Sequence, residues 1–197
     1  MISPRLKELL LQSLEHERGG VLIYRTALEC AVNENLKEEW QKYLAQTENH
    51  VRVLTRTCEE LELDPGEMTA GCHIVRENGR ALVKAIETAQ AAGDSTGAEL
   101  VACECVVLAE TKDHADWELI GACAKELDGD VADTLLDAYE EVEDEEDAHL
   151  YHTKGWCREL WLSALGLEAV LPPPEEDKDV KTAIGAARAE KEAHPDN

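Results

Sequence analysis

The sequence predicts an all-α protein, and three observations support this fold class. Ala, Leu, Glu and Lys, which favour helix, dominate the 197 residues. Apolar residues recur at steps of three and four over four long stretches, with no clear alternating pattern of a strand. Short runs rich in Asn, Asp, Gly or Pro separate these stretches and are typical of helix ends. At this length we expect one domain with a full core.

The first long helix is predicted to begin at Ser3-Pro4, because Ser3 can cap a helix and Pro4 suits its first position. Its inward stripe reads Leu6, Leu10, Leu14, Glu17, Val21, Tyr24 and Leu28. The run from Asn33 to Asn35 is predicted to end it. A single acidic residue, Glu17, therefore interrupts an otherwise apolar face.

The second long helix is predicted from Leu36 to Leu63, before the turn at residues 64–66. Its stripe reads Trp40, Leu44, Thr47, Val51, Leu54, Cys58 and Leu61, and His50 follows Thr47 by three residues. A shorter helical segment from Thr69 to Ala92 comes next and breaks at residues 93–97. We expect this segment to be a crossover connection between two pairs of long helices.

The third long helix is predicted from Ala98 to Leu127, and the fourth from the turn at residues 128–130 to Leu165. The third stripe reads Cys103, Val107, Glu110, His114, Trp117, Gly121 and Ala124. The fourth reads Leu135, Tyr139, Val142, Glu146, His149, Thr153, Trp156 and Leu160. Both interior faces are again interrupted by acidic or histidine residues at their middle.

The fourth helix carries an unusually acidic run, since seven of the eight residues from Glu140 to Asp147 are acidic. Most of these must form a solvated face, but Glu146 and His149 fall on the inward stripe. Burying an unpaired carboxylate costs several kcal/mol, so the pair needs a compensating partner, of which a metal ion is the usual one. The alternative is a chance pair in an acidic helix.

The net charge is −24, from 43 acidic and 19 basic residues. Such a surface repels nucleic acid and anionic membranes and attracts cations, so we expect neither nucleic acid nor membrane as a partner. No apolar window is long enough to span a bilayer, and the N-terminus does not resemble a signal peptide. The seven scattered cysteines are interpreted as reduced core residues of a cytoplasmic protein, with disulfides as the alternative.

Two helix pairs repeat one arrangement: Glu17 precedes Thr47 and His50, and Glu110 precedes Glu146 and His149. This pattern resembles the ferritin-like superfamily of carboxylate-bridged dimetal proteins, such as rubrerythrin-like and bacterioferritin-like members, over residues 3–166. The resemblance implies a ferritin-like four-helix bundle with a crossover helix, spanning residues 1–171. Residues 172–197 would then form a charged tail that starts with prolines and is either disordered or a loosely docked helix.

The resemblance also implies a metal site. Glu17 and Glu110 would be terminal carboxylates and Glu146 a bridging one. The nitrogen ligands would be His50 and His149. Mixed carboxylate and imidazole ligands suit one or two iron ions, with manganese as the alternative. The implied partners are metal ions, dioxygen or peroxide, and further copies of the chain in a homo-oligomer.

The departure from the family pattern is Thr47, where a second bridging Glu is expected. Either Glu48 or Asp113 replaces that carboxylate, or the site holds a single ion, or it is degenerate. His114, four residues after Glu110, is an additional candidate ligand whose alternative role is that of a surface or hydrogen-bonded histidine. His50 has the same alternative, as a hydrogen-bonded core histidine.

Two function hypotheses follow. The first is a metal-binding protein of redox or oxidative-stress chemistry that acts on iron, dioxygen or peroxide, as a di-metal oxidoreductase or ferroxidase would. The second is a metal-free helical scaffold with a degenerate site and a tail that docks a partner. A storage cage would additionally require assembly into a large shell.

Overall fold

The computed structural model describes residues 2–195 and, within that range, contains seven helices and no strand. This confirms the predicted all-α class. The helices are α1 (Pro4–Leu28), α2 (Glu34–Glu60), α3 (Ala70–Ala91), α4 (Ser95–Glu126), α5 (Asp130–Ala164), α6 (Pro174–Asp177) and α7 (Ala183–Ala193).

Polar side chains set the helix starts. The Ser3 hydroxyl accepts a hydrogen bond from the Leu6 amide at 3.1 Å, as predicted for the first cap. Asn33 caps α2 through its carboxamide oxygen, so α2 begins two residues earlier than the periodicity indicated. α2 ends at Glu60. Glu62, two residues later, takes a left-handed φ of 58° that a continuing helix cannot accommodate.

The buried apolar side chains form two clusters separated by a polar layer. The first cluster includes Leu6, Leu10, Leu14, Val53, Leu54, Cys58, Cys72, Trp117, Ile120, Leu135 and Val142. The second cluster includes Ile23, Tyr24, Leu36, Trp40, Tyr43, Ile86, Val106, Ala109, Trp156 and Leu160. Each of α1, α2, α4 and α5 contributes to both clusters and carries polar residues in between.

The order in which each helix meets the clusters gives its direction. α1 and α5 run from the first cluster to the second, whereas α2 and α4 run from the second to the first. α3 contributes Cys72 to the first cluster and Ile86 to the second, so it returns the chain to the end where α4 begins. It packs on α1 and α4, and α2 packs on α1 and α5.

Residues 172–195, the described part of the segment predicted as a charged tail, fold against α5. The Arg158 guanidinium donates two hydrogen bonds to the Glu175 carboxylate, at 2.8 and 2.9 Å. His194, just after α7, lies with its Nε2 2.8 Å from Glu159 Oε1. Because Glu159 and Glu175 are both buried, these contacts pair two carboxylates that would otherwise be costly to bury.

Two further properties concern the cysteines and the length of the apolar helix segments. All seven cysteines are free thiols, and five of them are buried. None of the helices in the described part of the chain combines the length and the apolar character that crossing a bilayer requires.

Candidate metal centre

The polar layer between the two apolar clusters contains five residues that the sequence placed in a common site. α1 contributes Glu17, α2 contributes His50, α4 contributes Glu110, and α5 contributes Glu146 and His149. Each is at most 3% exposed. Residues from four helices therefore converge in the interior, at the middle of each helix.

The two histidine rings face Glu146 with the same nitrogen. His50 Nδ1 lies 2.9 Å from Glu146 Oε1, and His149 Nδ1 lies 3.5 Å from the same oxygen. His149 Nδ1 is also 3.5 Å from Glu110 Oε2, and His50 Nδ1 is 3.4 Å from Glu17 Oε1. Glu146 is thus the carboxylate that both rings share.

The outer nitrogen of each ring is held by an acceptor. His149 Nε2 lies 3.0 Å from Gln46 Oε1, and His50 Nε2 lies 2.8 Å from Glu145 Oε2. An oxygen acceptor at Nε2 places the proton there and leaves Nδ1 with its lone pair in the neutral ring. Such partners orient metal-binding histidines in proteins.

Several buried atoms in this layer have no hydrogen-bond partner among the described residues. They are Glu17 Oε2, Glu110 Oε2, Asp113 Oδ1, both carboxylate oxygens of Glu146, and Nδ1 of both histidines. Unpaired buried acceptors are costly, so these atoms are suited to contact a proton or a cation.

The distances between these atoms agree with a shared ion. Two ligand atoms that each lie roughly 2.1 Å from one ion are about 3.0–3.4 Å apart at octahedral or tetrahedral angles. The four contacts among His50, His149 and their carboxylates range from 2.9 to 3.5 Å. The residues present therefore fit a divalent metal ion.

Two groups of potential ligands meet at Glu146. In the first group, His50, Glu146 and His149 each offer an atom within 4.8 Å of the others. In the second group, Glu17, Asp113 and Glu146 do the same. Asp113, which the sequence offered as a substitute for the missing carboxylate, thus lies at the centre.

The crowding of carboxylates shows in their pKa values. Burial, together with the charges of Glu17, Glu146 and Glu110, raises the pKa of Asp113 well above its ordinary value. Burial also raises the pKa of Glu17, although His50 opposes the shift. For Glu146 the two histidines outweigh burial and lower its pKa. Positive charge in this layer therefore comes from protons on the rings or from a bound cation.

The pKa of His149 makes a testable prediction for the metal-free protein. Burial alone would lower this pKa, but the carboxylates of Glu110 and Glu146 raise it to about 9 from 6.5. The protonated ring should therefore stabilise the fold below pH 6.5, and this contribution should be lost as the pH rises through about 9. Urea unfolding in the presence of a chelator measures it. His149→Gln should flatten this part of the pH profile, and an unchanged profile would contradict the assignment.

Two of the additional candidates lie elsewhere. Glu48 forms an ion pair with Arg25 at 2.6 Å on the surface between α1 and α2. His114 Nε2 lies 2.8 Å from Asp147 Oδ1, and His114 belongs to neither group of buried potential ligands. Thr47 is buried, and its methyl carbon would lie 3.3 Å from a Cβ added at Gly20, so it contacts α1.

Three residues of the site were not identified from the sequence. Trp117 was named only as a member of the third inward stripe, but its indole N–H donates to Glu17 Oε1 at 2.8 Å. Glu145 was interpreted as part of a solvated face, and Gln46 was not considered. The signal for Gln46 was its position four residues before His50, one turn along the same helix.

Comparisons of this chain with protein-family models, with curated proteins and with solved structures find no match. The resemblance to the ferritin-like superfamily therefore stays a hypothesis that rests on the residue pattern.

Proposed function

We propose that this protein binds one or two divalent metal ions, iron or manganese, in the polar layer of a ferritin-like four-helix bundle. The observation that carries the proposal is the pair of histidine rings. Both direct an unpartnered Nδ1 towards Glu146, and both have Nε2 held by an oxygen acceptor. Glu17 and Glu110 supply further carboxylates to the same layer.

The helix order supports the bundle. Four long helices alternate as the resemblance implies, and α3 returns the chain between α2 and α4 as a crossover connection does. Because the centre lies between two apolar clusters, bulk water is excluded on both sides along the helix axes.

Bound iron or manganese supplies one-electron chemistry with dioxygen or peroxide, which we propose as substrates, and iron itself is an alternative substrate. The residues of this chain have separate tasks. His50, His149 and the carboxylates hold the ion, Trp117 fixes one oxygen of Glu17, and Gln46 and Glu145 fix the rings. The activity would belong to the oxidoreductases, with ferroxidase as one form.

The three carboxylates around His50, at 2.8–3.4 Å, also favour a second candidate, a metal-free scaffold. Burial opposes protonation of His50, but Glu17, Glu145 and Glu146 raise its pKa well above the ordinary value. A protonated His50 would then balance part of the buried negative charge without a metal. In that case the layer is a buried ion-pair network whose role is structural.

Metal content distinguishes the two candidates. We expect tag-free protein to carry iron or manganese. After a chelator has removed the metal, the protein should bind one or two equivalents of Mn²⁺, or of Fe²⁺ under anaerobic conditions. At a free ion concentration 100 times the dissociation constant, binding should stabilise the fold by about 2.7 kcal/mol. Elemental analysis and thermal unfolding with and without the ion measure this. A protein without bound metal, whose melting temperature the ions leave unchanged, would establish the scaffold instead.

A further inference from the structure

Asp113 is the one member of the two ligand groups that does not belong to the five residues of the predicted site. It lies on α4, one turn after Glu110, and is 3% exposed. Its Oδ1 has no hydrogen-bond partner among the described residues. A buried carboxylate beside other carboxylates requires a proton or a cation, and an unpartnered oxygen directed into the polar layer is available to either.

The surroundings of Asp113 differ from those of the histidines. Its carboxylate groups with those of Glu17 and Glu146, whereas the rings of His50 and His149 group with Glu146. His149 Nδ1 also lies 3.5 Å from Glu110 Oε2. His50 lies at the boundary between the two groups, 3.4 Å from Glu17. The first group therefore offers two imidazole nitrogens beside the Glu146 carboxylate, and the second offers carboxylate oxygens only.

The carboxylate missing from position 47 is thus supplied by a different helix. Glu48 on α2 is engaged by Arg25, and Thr47 contacts α1 near Gly20. Asp113 instead extends from α4, which then carries two acidic residues of the centre. The two groups consequently need not bind the same ion.

We propose that the centre has two chemically different subsites and that Asp113 creates the second. The first, formed by His50, His149 and Glu146, takes an ion with affinity for imidazole, such as Fe²⁺ or Zn²⁺. The second, formed by Glu17, Asp113 and Glu146, takes a hard, oxygen-seeking cation such as Mn²⁺. The assignment follows from the preference of imidazole for iron and zinc and of carboxylates for manganese. It rests on the proposed metal-binding function.

The experiment loads the two subsites in sequence. Full-length protein that a chelator has freed of metal first receives one equivalent of Zn²⁺, which is redox-inert. It is then titrated with Mn²⁺, and the electron paramagnetic resonance signal of free Mn²⁺ measures how much has bound. The wild type should bind one Zn²⁺ and then one Mn²⁺. Asp113→Asn should keep the Zn²⁺ and weaken Mn²⁺ binding by at least 10–100-fold, the effect that loss of even an outer-shell partner has.

Two further variants complete the test. Asp116→Asn is the matched control, since Asp116 is also buried on α4 but pairs with Lys112 outside both groups. It should bind both ions like the wild type. His149→Gln should show the opposite loss, with weakened Zn²⁺ and retained Mn²⁺, and so tests the inference independently of how Asp113→Asn folds.

The possible outcomes separate this inference from the proposed function. A wild type that binds only one ion, or an Asp113→Asn variant that retains Mn²⁺, overturns the second subsite and leaves the metal-binding proposal in place. Parallel loss of both ions in Asp113→Asn and His149→Gln overturns the chemical difference between the subsites. A wild type that binds neither ion overturns both proposals.

Discussion

Replacing Glu146 with glutamine is expected to abolish binding of both ions. The Glu146 carboxylate belongs to both ligand groups and contacts both histidine rings, so no other single residue affects the whole centre. The affinity should fall by more than the 10–100-fold that loss of an outer-shell partner costs. The metal-free fold should lose stability, because the variant removes the carboxylate that pairs with both histidine rings and whose pKa they lower. Metal titration and thermal unfolding measure both effects.

The control for this variant is Glu140→Gln, which removes an exposed carboxylate from the same acidic run. It should leave metal affinity unchanged. Glu145 does not serve as a control, because its carboxylate lies 2.8 Å from His50 Nε2. If Glu146→Gln and Glu140→Gln bind metal equally, α5 contributes no metal site and the layer is structural.

Replacing Trp117 with phenylalanine is expected to have the second-largest effect. The indole N–H is the donor that holds Glu17 Oε1, at 2.8 Å, and Trp117 is 1% exposed. Loss of this hydrogen bond to a buried carboxylate should lower the free energy of unfolding by about 1–3 kcal/mol. It should also weaken metal binding by about 10–100-fold, since Glu17 loses its orientation. Urea unfolding of the chelated protein and titration with Mn²⁺ measure the two effects separately.

Trp161→Phe is a matched control. The Trp161 indole N–H also donates to a carboxylate, that of Glu104, at 3.0 Å, but the pair is on the surface and Trp161 is 39% exposed. Its loss should change neither metal affinity nor stability by more than a few tenths of a kcal/mol. Equal effects of the two variants on metal binding would show that the Trp117 contact does not support the centre.

Helix periodicity was sufficient to predict the class of the fold and to place polar residues at the middle of four helices. Each inward stripe is a local property, because residues three and four apart share one face. The acidic interruption at Glu17 and the Glu146–His149 pair were visible for the same reason. Their convergence required only that the four helices pack with their interruptions at one height.

The choice between Glu48 and Asp113 could not be predicted, because both border an inward stripe. Glu48 is drawn outward by Arg25, a residue 23 positions earlier on another helix. Which partner a border residue finds depends on how the helices rotate against each other, and periodicity does not determine that rotation. The role of Trp117 was hidden similarly, since a buried indole is consistent with packing alone.

The folded tail was not evident from composition, because a charged, alanine-rich segment usually remains solvated. Its docking depends on α5 presenting Arg158 and Glu159 where Glu175 and His194 can reach them. These are four residues out of a highly charged chain, and many other pairings would satisfy the same composition. The structure selects one pairing, and the sequence alone does not.

The positions of Ser3 and His194 have a practical consequence for handling the protein. Ser3 lies at the end of the molecule that contains the first cluster, whereas His194 lies beside Glu159 at the end that contains the second. Tags attached beyond these two residues would therefore extend from opposite ends of the bundle. Histidine tags themselves bind metal ions. Metal content measured before and after removal of a tag at each end therefore shows how much of the bound metal belongs to the interior.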